Sequence, residues 1–523
     1  MGLSLCQGIF RYFSRNGFFK IARKVEYEIR KDFFAQLQRL PLSYLNRSNI
    51  GDLVSRGTND LSAVFLFFGP GLFHFLNTIF VYCLALGFML AIDPLLTLYT
   101  LLPYPVLALA TRAYGQVVYP GFHQVQERLA AISSKAQENL SGIRVVKAYV
   151  QEESEIASFS EKCWQYVEQN LKVARVSALF HAIFGAVAGT SLVIVLWFGG
   201  RAVISGRITL GGLIAFSGYL AILLFPTIAL GWIISLNQRA KAALKRLNEV
   251  MEWKDREEEG VNPHATLSST DIEFRNLSFA YPGTNGQAGA ERMILKDITL
   301  KVPEGATLGV AGPTGSGKST LVSLIAKLYP VAPGQLFIGG QDIVHIPGNL
   351  LRRQIGFVPQ DPFLFSESLK ENIAYGASRA DDEAIFQAAD LARLSKDLNQ
   401  FPDNLDSLVG ERGITLSWGQ RQRAALARAL MVEPKILIID EAAGSLDAET
   451  EEEIRANLAS FIEGRTCIIV SHRMTALKDA DHIIVLDEGR IVEQGSHKEL
   501  LKNAGLYARM YRHQLLKEEL ERY

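Results

Sequence analysis

Long apolar segments alternate with charged ones in the first half of the chain. Stretches near residues 66–92, 94–118, 177–199 and 209–235 each reach the roughly 20 mostly apolar residues needed to cross a bilayer. The alternative is that they are buried helices of a large soluble protein. Because the four runs carry so few charges, the pattern favours membrane-spanning helices, and the positive mean hydropathy of +0.12 agrees.

The basic residues predict how these helices are oriented. Residues 20–56 and 128–175 are rich in Lys and Arg, whereas the turn at 92–94 has neither. Since cytoplasmic loops carry the excess of basic residues, we expect both long segments to be cytoplasmic. The turn at 199–207 has two arginines and is expected to be external, as a local exception that the larger loops outweigh.

Helical periodicity continues beyond the apolar runs. Val25, Ile29 and Phe33 recur every four residues, and Leu140 and Ile143 are three apart. This spacing predicts long intracellular helices in both basic segments.

The second half holds three short apolar runs that predict buried parallel strands, at 307–311, 435–439 and 466–470. The first run is followed by Gly312-Pro-Thr-Gly315-Ser316-Gly317-Lys318-Ser319, which fits the phosphate-binding loop pattern. Glycines let backbone N–H groups surround a phosphate, Lys318 adds a positive charge, and Ser319 can bind Mg²⁺. A nucleotide triphosphate is therefore the expected ligand.

The other two runs end in residues suited to the same chemistry. Asp440 and Glu441 follow the second run, where a Mg²⁺ ligand and a general base would lie, although a solvated acidic turn is the alternative. Ser471 and His472 follow the third run, and His472 could contact the γ-phosphate.

Further motifs resemble those of ATP-binding cassette (ABC) proteins. Leu416-Ser417-Trp418-Gly419-Gln420 is similar to the LSGGQ signature, and Val409-Gly-Glu-Arg-Gly413 to the loop before it. Tyr281 resembles the aromatic residue that stacks on adenine, Gln360 the Q-loop glutamine, and Ser445-Leu-Asp447 the end of the D-loop. These elements occur in the family's order over residues 271–510.

This resemblance implies a role for each matching residue. In the family, two cassettes close on two ATP molecules, each held between one chain's phosphate loop and the other chain's signature. The resemblance implies ATP and Mg²⁺ as cofactors, with adenine stacking by Tyr281 and Mg²⁺ binding by Ser319, Gln360 and Asp440. It implies activation of water by Glu441, a γ-phosphate contact by His472, and completion of the partner's site by Ser417 and Gly419, with Asp447 in the D-loop. The phosphates would be bound by Gly312, Gly315, Ser316, Gly317, Lys318, Ser319 and Thr320.

Fusion of membrane helices to one cassette resembles an exporter half-transporter, closest to bacterial multidrug exporters. We expect an α-helical polytopic membrane domain at 1–252, a linker at 253–270 and an α/β P-loop ATPase domain at 271–523. Residues 41–56 and 137–147 resemble the family's coupling elements. The chain begins inside what looks like the second of six family helices, so the first helix is expected to be missing.

The resemblance fails in two motifs, the signature and the D-loop, and both departures bear on the partner. Trp418 replaces the first glycine of the signature, and the D-loop reads Ala443-Gly444-Ser445 where Thr/Ser-Ser-Ala is usual. Because the Asp440, Glu441 and His472 positions are intact, we expect one competent and one impaired site, as in a heterodimer. A homodimer, or a regulatory or degenerate subunit that binds ATP without pumping, remains open.

The remaining composition limits other functions. The formal net charge is zero and no basic stripe with interleaved aromatics is present, which argues against a nucleic-acid partner. The four cysteines have no metal-ligand spacing. The expected partners are a second half-transporter, the lipid bilayer of a bacterial cell membrane and a small amphipathic substrate. Phe216, Tyr219 and Phe225 could contact that substrate or serve only in packing.

Overall fold

The structure is a computed structural model that describes residues 2–253, 261–262, 265–281, 293–377, 380–440 and 448–521. It forms two compact units. The first contains Met1–Gln38 and Ile50–Trp253, and the second contains Arg39–Asn49 and Lys254–Tyr523. Half of the linker predicted at 253–270, residues 254–260 and 263–264, lies outside the described residues. The boundaries at 252 and 270 stay predictions.

The chain up to residue 251 is almost entirely helical. Its α-helices are α1 (Gly2–Arg39), α2 (Leu42–Arg47), α3 (Ile50–Ser55), α4 (Leu61–Leu66), α5 (Leu72–Ile92), α6 (Pro94–Leu101), α7 (Tyr104–Ser141), α8 (Ile143–Ala148), α9 (Glu152–Ile194), α10 (Gly200–Ile204) and α11 (Leu210–Met251). Wider π-helical turns at Arg56–Asp60, Phe67–Gly71 and Val195–Gly199 join consecutive helices without ending them.

Within the described part, four continuous helical segments are long and apolar enough to cross a membrane: Ile50–Ile92, Pro94–Ser141, Glu152–Ile204 and Leu210–Met251. The apolar runs of the sequence lie on these segments, so the prediction of four spanning helices is confirmed. The basic segments 20–56 and 128–175 are helical apart from short breaks at 40–41, 48–49, 142 and 149–151, so the helices that the periodicity predicted are present.

The turn between α5 and α6 contacts the turn before α11. Asp93 caps α6, because its Oδ1 accepts the N–H groups of Leu95 and Leu96 at 2.9 and 3.0 Å. Its other oxygen, Oδ2, lies 2.8 Å from Arg207 Nε. One of the two arginines that depart from the expected charge bias is therefore neutralised by a buried carboxylate of the neighbouring turn.

Helix packing assigns different environments to the three aromatic residues of α11 named from the sequence. Phe216 is fully buried in a core with Met89, Leu96 and Val195, so it serves in packing. Tyr219 is half-buried and stacks on Phe88 at 5.8 Å between ring centroids, whereas Phe225 is 64% exposed.

The second unit contains α2 and the α/β part of the chain. Its strands are β1 (Ile272–Ala280), β2 (Met293–Val302), β3 (Thr307–Ala311), β4 (Leu336–Ile338), β5 (Gln341–Asp342), β6 (Ile355–Val358), β7 (Ile436–Asp440), β8 (Thr466–Val470), β9 (His482–Asp487) and β10 (Arg490–Gly495). Its remaining α-helices are α12 (Lys318–Ile325), α13 (Gly348–Arg352), α14 (Leu369–Ala374), α15 (Asp382–Leu391), α16 (Trp418–Met431), α17 (Ala448–Ile462), α18 (His497–Lys502) and α19 (Leu506–Glu521).

The strands form two sheets. The larger has the order β10-β9-β3-β8-β7-β6, in which the pairs from β9 to β6 are parallel and β10 is antiparallel. The smaller is antiparallel, with the order β2-β1-β4-β5. Central strands β3, β7 and β8 are almost fully buried, as expected for continuous apolar runs covered on both faces. The predicted fold class, a helical membrane domain fused to an α/β ATPase domain, is confirmed.

Candidate nucleotide site

Four parallel strands deliver the predicted site residues to one edge of the larger sheet. Val470 of β8 aligns with Val310 of β3 on one side and with Asp440 of β7 on the other. Val358 of β6 aligns with Ile439. Because neighbouring strands lie about 4.8 Å apart, the segments that follow these strands emerge side by side. They contain the phosphate loop, His472, Asp440 and Gln360.

Close packing explains two glycines of the phosphate loop. Gly312 has φ +145°, and a Cβ there would lie 2.2 Å from the carbonyl oxygen of Leu486. Gly317 has φ +103°, and a Cβ would lie 2.8 Å from Leu295 Cδ2. At Gly312 the clash is with the backbone, so a side chain there would displace the loop. At Gly317 the Leu295 side chain would have to move, and the positive φ disfavours residues other than glycine.

Gly315 differs from these glycines. It has φ +82°, which favours glycine, but a Cβ there would have no atom of the described residues within 4 Å. The loop therefore leaves open space at Gly315, on the side where a ligand could approach the backbone.

The interior of the loop holds a buried cation and a buried hydroxyl. Lys318 is 6% exposed, and its Nζ donates to the carbonyl oxygens of Gly312 and Pro313, each at 2.9 Å. Ser316 is 3% exposed, and its Oγ has no hydrogen-bond partner within the described residues. Since buried polar atoms are normally hydrogen-bonded, this hydroxyl fits a site completed by a polar ligand.

Tyr281 is connected to the helix that begins in this loop. Its Oη lies 3.0 Å from Oγ1 of Thr320 on α12. Its ring makes edge-to-face contacts with Phe279 and Tyr329, at 5.2 and 5.0 Å between centroids. The side chain is still 39% exposed, so it offers ring surface for stacking.

The residues expected to bind Mg²⁺ differ in burial. Asp440 ends β7 and is 4% exposed, whereas Ser319, in the first turn of α12, is half-buried. The backbone carbonyl of Gln360 accepts a hydrogen bond from Gln422 Nε2 of α16 at 3.4 Å. His472 is half-buried directly beyond β8. Glu441, the D-loop positions 443–445 and Asp447 lie outside the described residues.

The signature motif forms the N-terminus of α16. Ser417 is the N-cap: its Oγ accepts the Gln420 N–H at 3.2 Å, and Gln420 Oε1 accepts the Ser417 N–H at 2.9 Å. This reciprocal capping box orients the first turn. Trp418 is the first helical residue and Gly419 the second, and both are half-buried.

Sequence reasoning missed contacts that join distant segments. Tyr329, which contacts Tyr281, also accepts a hydrogen bond from Asn46 Nδ2 of α2 at 2.8 Å. Asn46 lies within residues 41–56, which resemble a coupling element, but no local pattern pairs it with Tyr329. The capping box of α16, in contrast, follows the sequence spacing Ser-x-x-Gln and could have been found.

Comparison with known proteins identifies the family. The family model described as ABC transporter transmembrane region matches residues 1–227, and the one described as ABC transporter matches residues 295–444. The probable multidrug resistance ABC transporter ATP-binding/permease protein YheI of Bacillus subtilis is 37% identical over 514 residues, which cover 97% of this chain and 86% of that protein. The multidrug resistance-like ATP-binding protein MdlA of Escherichia coli is 33% identical, over 98% of this chain and 86% of that protein.

A solved structure agrees over nearly the same length. A bacterial Atm1-family ABC exporter with ATP bound matches with a TM-score of 0.80 and 27% identity, over 95% of this chain and 87% of that chain. The chain therefore belongs to the ABC transporter family, as a multi-pass membrane protein whose nucleotide-binding domain couples ATP hydrolysis to export.

Proposed function

We propose that this chain uses ATP to export a small amphipathic substrate, drug-like or lipid-like, as one half of a heterodimeric transporter. The observation that carries the ATP-dependent part is the phosphate loop. It combines a buried Lys318, a buried Ser316 hydroxyl without a partner in the described residues, and open space at Gly315. A phosphate chain would supply a hydrogen-bond acceptor for the Ser316 hydroxyl and negative charge beside Lys318.

Each site residue then has a distinct role. Tyr281 stacks on adenine, and the loop residues Gly312, Gly315, Ser316, Gly317, Lys318 and Thr320 surround the phosphates. Glu441 orients or activates the attacking water, and His472 contacts the γ-phosphate. Ser417 and Gly419 present the N-terminus of α16 to the ATP held by the partner, and Asp447 belongs to the D-loop beside it.

The side chains of Ser319, Gln360 and Asp440 fit Mg²⁺. All three offer oxygen atoms, which this hard cation prefers, and one of them is a carboxylate. When bound, the metal would neutralise charge that develops on the phosphates.

Heterodimer formation is supported by the signature and the D-loop. Trp418 places an indole in the first turn of α16, where the family has glycine and where a partner's phosphate would approach. Positions 443–445 also depart from the family pattern. A partner with an intact signature would complete the site on this chain's own phosphate loop, which is the one with Asp440, Glu441 and His472.

The substrate class is supported by the membrane helices and by relatives. Phe225 on α11 exposes most of its ring, and Tyr219 is half-buried on the same helix. Two relatives carry multidrug resistance in their names. An apolar aromatic surface would bind amphipathic molecules with little selectivity. Export of a lipid or a peptide is an alternative within the same class.

The departures from the family pattern at Trp418 and at D-loop positions 443–445 also favour a second candidate function. If Trp418 and the altered D-loop prevent productive closure, the chain is an ATP-binding regulatory subunit that does not pump.

Transport in vesicles distinguishes these functions. The chain, alone and with a co-purified half-transporter, is placed in proteoliposomes, and ATP-dependent movement of a fluorescent amphipathic dye is measured. We expect the pair to transport the dye, and we expect Lys318→Ala to abolish this transport. Equal transport with Lys318→Ala would contradict ATP-driven export by this chain, and transport without a partner would contradict the heterodimer. ATP binding without transport in either form would support the regulatory subunit.

A further inference from the structure

The short helix α2 packs in the same unit as the phosphate loop. Asn46 on this helix donates from Nδ2 to Tyr329 Oη at 2.8 Å, across 283 residues of sequence. The helix is closed at its C-terminal end by Ser48, whose Oγ donates to the Tyr44 carbonyl at 3.0 Å. Asn46 is therefore presented from an ordered helical turn.

Tyr329 lies just beyond the end of α12, the helix that begins at Lys318. The turn that carries it is anchored by Lys327, which has φ +50° and donates from Nζ to the carbonyl oxygens of Ile343, Val344 and Ile346 at 2.8, 3.3 and 2.6 Å. Burial and the neighbouring Tyr281 raise the pKa of Tyr329, so its phenol stays protonated near neutral pH. The turn is thus anchored two residues before Tyr329, and Asn46 contacts the far end of the Tyr329 side chain.

The Tyr329 ring contacts the proposed adenine platform. It meets the Tyr281 ring at 5.0 Å with an interplanar angle of 80°. Tyr281 is also held by Thr320 at its hydroxyl and by Phe279 at 5.2 Å and 83°. Stacking on a base depends on the position of the ring face, and these contacts determine that position.

We propose that Asn46 and Tyr329 are positioning residues for the adenine ring of ATP. Asn46 fixes Tyr329, and Tyr329 fixes the ring of Tyr281 on which the base stacks. This inference rests on the proposed function, in which Tyr281 binds adenine. It gives α2 a specific effect: the helix adjusts affinity for the base and leaves affinity for the phosphates unchanged.

The inference is tested by comparing ATP with inorganic tripolyphosphate, which has no base. Both ligands are titrated into the full-length protein in lipid nanodiscs with EDTA present, so that ATP is not hydrolysed. Asn46→Ala and Tyr329→Phe should each weaken ATP binding about two- to tenfold, the effect of losing one neutral hydrogen bond. Neither should change the Kd for tripolyphosphate.

Two controls separate positioning from general damage. Tyr329→Phe keeps the ring contact with Tyr281 and removes only the hydroxyl, so a correctly folded protein is expected. Arg47→Ala removes an exposed side chain of the same helix and should change neither Kd. Because Asn46 and Tyr329 act through one bond, the double variant should bind ATP no more weakly than either single variant.

Particular results would overturn the inference. These are unchanged ATP affinity in both Asn46→Ala and Tyr329→Phe, or an equal loss for ATP and tripolyphosphate. Failure of the proposed function looks different: the parent protein would bind neither ligand, or Lys318→Ala would bind both as well as the parent does. In that case the inference falls with it.

Discussion

At the scale of single residues, Tyr281 contacts two different parts of the candidate site. Its hydroxyl contacts Thr320 on the helix that follows the phosphate loop, and its ring belongs to an aromatic group with Phe279 and Tyr329. The hydroxyl connects the proposed adenine platform to the helix that follows the phosphate loop. Substitution of Tyr281 can separate the effect of its ring from the effect of its hydroxyl.

Tyr281→Ala should weaken ATP binding by about 1–3 kcal/mol, the range found when a ring that stacks on a base is removed. Tyr281→Phe restores the stacking surface and loses only the contact with Thr320, so it should recover most of the affinity. Nucleotide titration of the purified protein measures both variants. ATP binding by Tyr281→Ala as tight as in the parent would place the adenine platform elsewhere.

Glu441→Gln should stop hydrolysis and retain ATP binding, because the amide keeps the shape of the side chain and cannot accept a proton. Turnover should fall by at least about 100-fold, the lower end for loss of a general base. Lys318→Ala should instead weaken binding itself. Nucleotide titration and steady-state ATPase assays on the reconstituted transporter separate the two effects, and unchanged turnover in Glu441→Gln would rule out Glu441 as the base.

Local signals made most single residues of the site predictable. The glycines, Lys318 and Ser319 follow a fixed spacing after an apolar run, and the structure supplies the reason at Gly312 and Gly317, where a Cβ would collide with neighbouring atoms. Asp440 and His472 follow runs that do form adjacent parallel strands. Their roles in catalysis remain predictions, as do those of Glu441 and Asp447.

At the scale of elements, α16 connects the signature to the segment after Gln360. Arg428 donates to the carbonyl oxygens of Asn372 and Phe363 at 2.8 and 2.9 Å, and to Asn372 Oδ1 at 2.9 Å. Asn372 is 1% exposed, and its Nδ2 donates to the Phe365 and Ser368 carbonyls. One guanidinium therefore holds α14 and residues 363–365 against α16.

Arg428→Met should destabilise the nucleotide-binding domain by about 2–4 kcal/mol, because it leaves buried acceptors without a donor. Arg428→Lys reaches fewer of them and should lie in between. Thermal unfolding of the full-length protein gives the order of stability. Lys396→Met is a matched control: it removes an exposed ion pair with Glu453 and should change the transition little. An equal effect of both Met variants would contradict this assignment.

The helices α18 and α19 meet at a histidine that predicts a pH effect. His497 Nδ1 lies 2.7 Å from Oη of Tyr507, which is fully buried and whose pKa burial raises to about 12. Burial, with Lys478, lowers the pKa of His497 below its ordinary value of 6.5. A lowered pKa means that the folded state binds a proton at His497 less readily than the unfolded state does. The neutral imidazole therefore stabilises the fold above about pH 6.5, and this stabilisation is lost as pH falls through the lower pKa of the folded state.

Thermal unfolding at pH 7.5, 6.5 and 5.5 should therefore show falling stability on acidification, with a smaller fall in His497→Gln. Glutamine can keep a hydrogen bond to Tyr507 and does not titrate in this range. Equal pH dependence in the parent and the variant would show that His497 does not contribute.

At the scale of the whole molecule, the two ATP sites of a dimer are expected to be unequal. With this chain's own site disabled by Glu441→Gln, Trp418→Gly should raise the remaining ATPase activity of the reconstituted pair, if the indole obstructs the partner's ATP. The partner must have its own catalytic glutamate. No increase with such a partner would mean that Trp418 packs away from the phosphate, and glycine would then only loosen the helix by about 1 kcal/mol.

Long-range pairing is the part of the structure that the sequence did not reveal. Nothing in either turn pairs Asp93 with Arg207, and nothing near Asn46 points to Tyr329. Such contacts depend on how helices and sheets pack, whereas turns, caps and strands depend on neighbours in sequence. The apolar runs and the phosphate loop were predictable for that reason.

The Asn46–Tyr329 contact also bears on the order in which the protein is made. Residues 39–49 leave the ribosome long before Tyr329 is synthesised, yet they belong to the same compact unit as Tyr329. Domains generally fold as units during synthesis, from the N-terminal end onward. Residues 50–253, which include the candidate membrane helices, separate the two parts of this unit, so it can be completed only after those residues have been synthesised. The second compact unit is therefore completed late in synthesis, and a fragment that begins after residue 253 lacks the α2 contact with Tyr329.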